Sequence, residues 1–312
     1  MNTTSTSVSN SESNSSLIVS ISLLILALFC IAFSSIFIVI AETDLNPTAI
    51  ALNRLFIAAV AFGLWIKFLP SAPSETETNP TFNIPIFILA GVSLAASQVC
   101  SSWSLTQTSV ANSALLNNMM PIFTTLGAWL FLGRQFTRKF IMGLIVAIIG
   151  VIAIGIDDLH ISSNQIMGDE AALLSAILLA VSLLSTEHLR QHYSTIQIMT
   201  IIGFIGSLSI LPLVIFNGDT LIPTSWAIAL AVLALALISQ VMGHGLLIYS
   251  LKQFSSGLVS VSMLSIPVIA AVLAMILFSQ PLTLANGLAF AVVLLGIYIA
   301  ISARHLDSEN KS

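Results

Sequence analysis

Long apolar runs separated by short polar segments dominate this chain, and most of the runs match the roughly 17–25 residues needed to cross a bilayer core. Helices are the expected structure, because the bilayer core offers no partner for a free backbone amide. The ten predicted spans are residues 17–40, 48–69, 84–104, 109–132, 140–156, 169–188, 195–216, 225–250, 255–278 and 283–302. This pattern predicts an all-α integral membrane protein.

The second half of the chain repeats the first at a constant shift of 146 residues. The pairs that coincide under this shift are Trp103–Gln107 with Tyr249–Gln253, Pro121 with Pro267, Thr137 with Thr283 and Gly150 with Gly296. Each half holds five predicted spans, an odd number, so the two copies would cross the membrane in opposite directions. The expected architecture is ten transmembrane helices arranged as two inverted five-helix repeats, which is typical of secondary transporters.

The domain boundaries follow from this repeat. The first repeat is assigned to residues 17–156 and the second to residues 169–302, with cytoplasmic tails over residues 1–16 and 303–312. The first tail is rich in Ser, Asn and Thr and has no basic residue, which predicts disorder rather than a secretory signal.

Turn chemistry supports the predicted span boundaries. Pro47 is expected at the first position of the second helix, and Thr137 and Thr283 are expected to cap the fifth and tenth helices at their amino ends. The segment 70–83 holds three prolines and is predicted to be a flexible cytoplasmic connector.

Composition and charge agree with a membrane location and predict its orientation. Hydrophobic residues make up 57% of the chain and charged residues only 7%, against about 25% charged residues in a typical soluble domain. If the amino terminus is cytoplasmic, eight of the nine Lys and Arg residues fall on the cytoplasmic side: Lys67, Arg134, Arg138, Lys139, Arg190, Lys252, Arg304 and Lys311. The positive-inside rule therefore predicts two cytoplasmic termini, and we expect the plasma (inner) membrane.

The motif content argues against an enzyme. The sequence has no HExxH or GxSG motif and no pair of aspartates within the predicted spans. The sequence also has no Gly-rich nucleotide-binding loop, which argues against ATP-driven transport by this chain. Cys30 and Cys100 lie within predicted spans and form no CxxC motif. We therefore expect no catalytic residue, no metal, no cofactor and no nucleic-acid partner.

Several residues together resemble a known transporter family. Ala111–Gly155 resembles the signature half of an EamA-type transporter of the drug/metabolite transporter superfamily. The matching residues are Asn118-Met119-Met120-Pro121, Phe131-Leu132-Gly133, Thr137, Gly143 and Gly150. Arg54, within Leu52–Leu55, is similar to the arginine of that family's second helix. The resemblance covers about residues 17–302 and implies a carrier of amino acids, nucleobase-like metabolites or drugs. Where the family pattern has a glutamate after the fourth and ninth helices, Arg134 and Gln280 stand here.

Two prolines are predicted to break helices at equivalent positions of the two repeats. Pro121 and Pro267 each remove a helical hydrogen bond and free a carbonyl four residues earlier, at Asn117 and Met263. Symmetric breaks near the midplane point to a binding site, and a packing kink is the alternative. We favour a site because polar residues accompany both breaks: Asn112, Asn117 and Asn118 at the first, and Ser260, Ser262 and Ser265 at the second.

Gln98 and His244 occupy equivalent positions in the third and eighth spans. The reference pKa of histidine, about 6.5, would suit proton coupling. We hypothesise that His244 lines the cavity and contacts substrate, and the alternative is a neutral histidine hydrogen-bonded to a neighbouring helix.

Arg54 is the one Lys or Arg residue of the nine that is not assigned to the cytoplasmic side, and it lies within the second span. A charge inside the membrane is costly unless it is paired or hydrated, which makes Arg54 a functional candidate. The alternative is that its side chain reaches outward to Glu42 or Asp44.

These residues together predict a secondary transporter, with export as the expected direction, that moves small polar metabolites by alternating access. The candidate substrate-binding residues are Arg54, Gln98, Asn117, Asn118, Gln240, His244 and Ser262, with Pro121 and Pro267 as helix breaks. The expected partners are a small-molecule solute and the lipid bilayer, with protons as a candidate coupling ion and the oligomeric state open. Cationic drug efflux, a passive facilitator or channel, and a receptor that binds without flux are the alternatives. Because no acidic residue is predicted near the middle of a span, cationic drugs rank second as cargo.

Overall fold

The computed structural model describes residues 4–68, 83–108, 110–155, 166–278 and 284–309, and within them every regular element is a helix. The helices of the first half are α1 (Thr4–Ala32), α2 (Ser34–Ala41), α3 (Pro47–Phe68), α4 (Ile84–Gln107), α5 (Val110–Asn117), α6 (Met120–Phe131) and α7 (Arg138–Gly155). Those of the second half are α8 (Ile166–Leu189), α9 (Thr195–Asn217), α10 (Trp226–Ala234), a π-helical segment (Leu235–His244), α11 (Gly245–Ser250), α12 (Ser256–Met263), α13 (Ile266–Phe278) and α14 (Leu284–Glu309).

Eight helical stretches of the described residues are long and apolar enough to cross a membrane. They are Ile18–Ala41, Pro47–Phe68, Ile84–Gln107, Ile166–Leu189, Thr195–Asn217, Trp226–Ser250, Ser256–Leu277 and Leu284–Ala303. Two of the ten predicted spans are absent from this set. They are the fourth, which corresponds to α5 and α6, and the fifth, which corresponds to α7.

The terminal helices extend into both expected tails. α1 starts at Thr4 rather than near residue 17, and α14 continues to Glu309 rather than ending near residue 302. A helix that is already formed over an apolar span extends outward one residue at a time without a new nucleation cost. The polar composition of the ends therefore does not stop the helices.

The predicted helix starts are confirmed where the structure describes them. α3 starts at Pro47, and the backbone N–H of Phe140 donates to Oγ1 of Thr137 at 3.2 Å, which caps α7. Thr283 and most of the predicted connector 70–83 lie outside the described residues. A further cap was not predicted: Ser194 and Gln197 form a reciprocal capping box at the start of α9.

The helices of the two halves pack against each other rather than forming separate bundles. The most extensive helix pairs are α4 with α8, α7 with α14 and α3 with α9. α7 and α14 meet at glycines, since a Cβ on Gly143 would lie 2.4 Å from the backbone nitrogen of Ala300 and one on Gly296 would lie 2.3 Å from that of Ala147. Only glycine permits this approach of two backbones.

Helix starts and helix breaks recur at the shift found in the sequence. α5 and α12 begin at Val110 and Ser256, and α6 and α13 begin at Met120 and Ile266. α7 and α14 begin at Arg138 and Leu284. Each pair is 146 positions apart (256 − 110, 266 − 120, 284 − 138). Pro121 and Pro267 are the second residues of α6 and α13, so both predicted breaks are present.

The two ends of the helix bundle carry different polar contacts. At one end Asp219 accepts hydrogen bonds from Asn46 and Thr48, and Asp44 accepts one from the backbone N–H of Thr224. The opposite end holds the ion pair between Arg134 and Glu187. Within the described residues, two aspartates accept the hydrogen bonds at the first end, and an ion pair between an acidic and a basic side chain lies at the second.

Candidate substrate cavity

A cavity of about 290 Å³ lies between the helices of the two halves, and we call it the central cavity. Its polar lining residues are Ser34, Glu42, Arg54, Ser97, Gln98, Ser101, Ser102, Asn117, Ser175 and His244. These side chains come from both halves of the chain. The cavity brings together four of the residues that the sequence analysis selected, namely Arg54, Gln98, Asn117 and His244.

Arg54 reaches the central cavity from α3 and is held there by a residue of the second half. Its Nε donates to Oε1 of Gln240 at 2.7 Å. Gln240 is only 1% exposed, so this hydrogen bond is buried. Among the described residues, neither Glu42 nor Asp44 forms a salt bridge with Arg54. The expected alternative, an outward ion pair, is therefore not the arrangement found.

Gln98 also lines the central cavity. Its Nε2 is buried and has no hydrogen-bond partner among the described residues. Neighbouring polar groups are satisfied, since Oγ of Ser97 lies 3.0 Å from the carbonyl oxygen of Ser175 and Nδ2 of Asn117 donates to Oγ of Ser101 at 3.1 Å. A buried donor without an acceptor costs free energy, and a bound ligand could supply the acceptor.

His244 is the last residue of the π-helical segment. Its Nδ1 lies 3.0 Å from the backbone oxygen of Ser239. A carbonyl oxygen only accepts, so Nδ1 carries a proton and Nε2 of the neutral ring is an acceptor. π-helical segments are rare and occur frequently at functional sites. The flanking glycines serve helix packing, with Gly243 against Ile31 and Gly245 against Phe62.

Glu42 supplies the only acidic side chain among the residues that line the central cavity. It follows directly after α2 and is largely exposed, so it stands at one mouth of the cavity. Partial burial raises the pKa of its carboxyl group above the usual value because burial disfavours the charged form.

A second cavity of about 340 Å³ contains both helix breaks, and we call it the break cavity. Asn118, Pro121 and Pro267 line it, together with Ser260. Asn117, Leu179 and Met263 line both cavities, which makes the two spaces neighbours. The helix breaks therefore lie beside the central cavity.

Two selected residues do not line either cavity. Gln240 acts behind Arg54, as its hydrogen-bond acceptor. Ser262 is 3% exposed and donates to the backbone oxygen of Leu258 within its own helix. Ser260, two positions earlier, lines the break cavity instead.

The opposite end of the bundle is tied by an acidic side chain of α8. Glu187 accepts from Nη2 of Arg134 at 3.0 Å and from the backbone N–H of Ser256 at 3.1 Å. The side chain of Glu187 is 3% exposed and that of Arg134 is 50% exposed. We call Arg134, Glu187 and Ser256 the Glu187 clasp. Glu187 is eight residues beyond Leu179 of the cavity wall, about 12 Å along a helix.

The cavity serines and Glu187 were not predicted from the sequence. Ser97, Ser101 and Ser102 flank Gln98 within an otherwise apolar helix, and this local polar cluster was a usable signal. No such signal existed for Glu187, which looks like an ordinary charge at a helix end until its two partners are known.

The chemistry of the central cavity is that of recognition. It offers N–H and O–H donors, one imidazole and one carboxylate at the mouth. Among the residues that the structure describes, no three His, Cys, Asp or Glu side chains are grouped as metal ligands would be.

Comparison with known proteins identifies the family. The sequence profile of the EamA-like transporter family matches residues 18–156 and again residues 166–302. The chain belongs to the EamA-like transporter family. It is therefore a membrane transporter, and the names of its relatives point to transport rather than to enzymatic activity.

Individual relatives of this EamA-like transporter are similarly divergent. An uncharacterized transporter of Archaeoglobus fulgidus is 27% identical over 262 residues, which is 83% of this chain and 90% of the relative. The uncharacterized transporter YetK of Bacillus subtilis is 22% identical, over 80% of this chain and 76% of the relative. A probable terminal-alkyne amino-acid exporter of Streptantibioticus cattleyicolor is 24% identical, over 76% of this chain and 79% of the relative. One crystal structure shares the fold with a TM-score of 0.76 at 15% identity, covering 92% of this chain and 98% of that chain.

Proposed function

We propose that this protein is a secondary active transporter that exports small polar metabolites, with amino acids as the leading class, by alternating access through the central cavity. The observation that carries the proposal is a polar cavity built by both halves, with Arg54 and Gln98 from the first and His244 from the second. Cavities of this kind at a repeat interface are where secondary transporters bind their substrates.

Two inverted five-helix repeats and ten spans are part of the proposal. The repeated helix starts support them, and so does the packing. α3 corresponds to α9 and α7 to α14 under the 146-residue shift, and each pair packs together. The contact of α4 with α8 corresponds to the contact of α11 with α1. Such pairwise exchange is what a pseudo-twofold axis between the halves would produce.

The proposed orientation has both termini in the cytoplasm of a cell bounded by the plasma (inner) membrane. This orientation puts Arg134 and the Glu187 clasp on the cytoplasmic side and Asp44 and Asp219 outside, in agreement with the positive-inside rule. Glu42 then lies at the outer mouth of the central cavity. We therefore assign the structure to a state open to the outside, with the clasp as the closed inner gate.

The amino-acid class is supported from two directions. One relative is named a probable terminal-alkyne amino-acid exporter, and the central cavity holds Arg54 without an ion-pair partner among the described residues. A cationic drug would meet that positive charge inside the cavity, which is unfavourable. Cationic drug efflux is therefore the less favoured cargo.

The proposal is tested with the purified full-length protein in proteoliposomes. Uptake of a pooled panel of amino acids, nucleobases and cationic dyes is measured by mass spectrometry, with and without an inward proton gradient. We expect amino acids to enter above the level of empty liposomes, with saturable counterflow that distinguishes a carrier from a passive channel. Absence of flux for every panel member, with protein shown to be folded, would contradict the proposal and favour a receptor. A proton-gradient effect would identify the coupling ion.

A further inference from the structure

We propose that Arg54 and Gln98 form a subsite for the carboxylate group of the transported solute, with Gln240 as the residue that positions Arg54. This inference rests on the proposed function and narrows its substrate class to small carboxylates, including α-amino acids. It also predicts that the carboxylate, rather than the side chain of the solute, decides whether a solute is accepted.

Arg54 is the first part of the subsite, because its charge has no counter-ion among the described residues. Its single hydrogen bond to a described residue uses Nε and the amide oxygen of Gln240. A guanidinium has five N–H donors, so four remain for a ligand. A charge removed from water without a partner is strongly destabilising, and a carboxylate bound in the cavity would provide the missing negative charge.

Gln98 is the second part, because it adds a buried donor on a different helix. Its Nε2 has no acceptor among the described residues, although Gln98 lines the same cavity as Arg54. Buried polar groups in proteins nearly always have a partner, so an orphaned donor at a cavity wall calls for an explanation. A carboxylate has two oxygens and accepts several hydrogen bonds, so we expect one bound carboxylate to accept from both side chains.

The hydrogen bond from Arg54 to Gln240 explains why the guanidinium stays available to a ligand. A neutral amide fixes the orientation of the side chain without neutralising its charge. An acidic residue at position 240 would form an ion pair with Arg54 and compete with the ligand. Gln240 is buried, so water does not compete for the hydrogen bond that orients Arg54.

The remaining lining groups favour a zwitterion over a plain amine. The acid on the cavity wall is Glu42, and among the described residues it forms no salt bridge with Arg54. An amine without a carboxylate brings a second positive charge to Arg54 and no negative charge to pair with it, so the cavity selects against such a solute.

The test uses matched ligands that differ only at the carboxyl group. L-Leucine, L-leucinamide and isopentylamine have the same hydrocarbon part, and analogous acid–amide pairs of alanine and phenylalanine cover other side-chain sizes. Binding to the purified full chain is followed by the ligand-dependent shift in thermal unfolding, and flux is measured separately in proteoliposomes. We expect at least one acid to bind about tenfold or more tightly than its amide, as the loss of a charged hydrogen-bond pair predicts.

Two variants connect this preference to the subsite. Gln98→Glu places a carboxylate beside the cation and should abolish the preference for the acid, whereas Gln107→Glu on the exposed end of the same helix is the matched control and should retain it. Arg54→Lys keeps the charge but loses the planar fork, and we expect a reduced preference.

The outcomes separate the two proposals. Equal binding of acids and amides, or no binding of any acid, would overturn the carboxylate subsite, even if flux of other solutes still established a carrier. Acid-selective binding without flux would support the subsite and contradict the carrier function.

Discussion

The third span and its counterpart in the second repeat have the same position in the proposed repeat but different backbones. α4 is a continuous α-helix from Ile84 to Gln107. Its counterpart consists of α10, the π-helical segment and α11, and the π segment ends at His244, the position equivalent to Gln98. One copy is therefore regular and the other is wound more loosely next to the central cavity.

Equivalent positions of these two helices make different hydrogen bonds. Ser93 and Ser239 are equivalent under the shift, yet Ser93 donates to Ala90 in its own helix while Ser239 donates to the backbone oxygen of Cys30 in α1. The neighbouring Gln240 accepts from Arg54, whereas its counterpart is the apolar Leu94. α4 thus contributes a free donor to the cavity, and the π-helical copy organises the buried cation.

Arg54 bonds to Gln240 and lines the same cavity as Gln98, and its removal should have the largest effect. We expect Arg54→Gln to lower the rate of amino-acid transport about 100-fold, because hydrogen bonds to a charged group are each worth about 1.5–3 kcal/mol. Transport is measured in proteoliposomes at equal protein content. Lys67→Gln, at the other end of the same helix, is the control. Near-normal transport by Arg54→Gln would mean that the cation is structural.

Replacing Gln240 by the residue of the other copy tests the asymmetry directly. Gln240→Leu leaves Nε of Arg54 without its acceptor, and we expect transport to fall about tenfold. Gln240→Glu retains the acceptor but adds a negative charge. If it transports normally, then the role of Gln240 is limited to hydrogen bonding and the charge argument fails.

His244→Gln gives both copies the same residue at the equivalent position. We expect about a fivefold loss of flux, because the imidazole contact with the backbone oxygen of Ser239 is lost and a net hydrogen bond is worth about 1 kcal/mol. Flux is measured in proteoliposomes at equal protein content. An unchanged rate would remove His244 from the mechanism.

The Glu187 clasp is specific to one end of the bundle, since the counterpart of Glu187 in the first half is Ala41. Glu187→Gln should weaken the inner gate and so reduce the fraction of protein that is open to the outside. We expect a reduction of about two- to threefold, because Arg134 is half exposed and ion pairs with an exposed partner contribute about 1 kcal/mol or less. The measurement is labelling of Ser101→Cys by an impermeant thiol reagent, with Cys30 and Cys100 replaced by alanine. Arg138→Gln, a nearby basic residue outside the clasp, is the control. Faster labelling in Glu187→Gln would contradict this assignment of the gate.

Much of the candidate site could be predicted from local sequence. Arg54, Gln98, Asn117 and His244 are polar residues within apolar spans, and burial of such residues is costly enough to mark them. All four line the central cavity. Ser262 has the same local pattern but turns into its own helix, because serine can satisfy its hydroxyl on the preceding turn. A pattern of polar residues does not distinguish these two outcomes.

Local features of the amino-acid sequence predicted the helical membrane class, the family and the repeated positions of the helix breaks. These properties depend on hydrophobicity, on proline and on spacing, all of which are local and additive along the chain. The tertiary structure decided the partners: Gln240 for Arg54, Glu187 for Arg134 and Ser256, and an orphaned donor at Gln98. Partners separated by 50 to 190 residues meet only when the helices pack, and the π-helical segment that orients Gln240 has no residue pattern of its own. Local chemistry therefore predicted which side chains matter, and packing decided what each one touches.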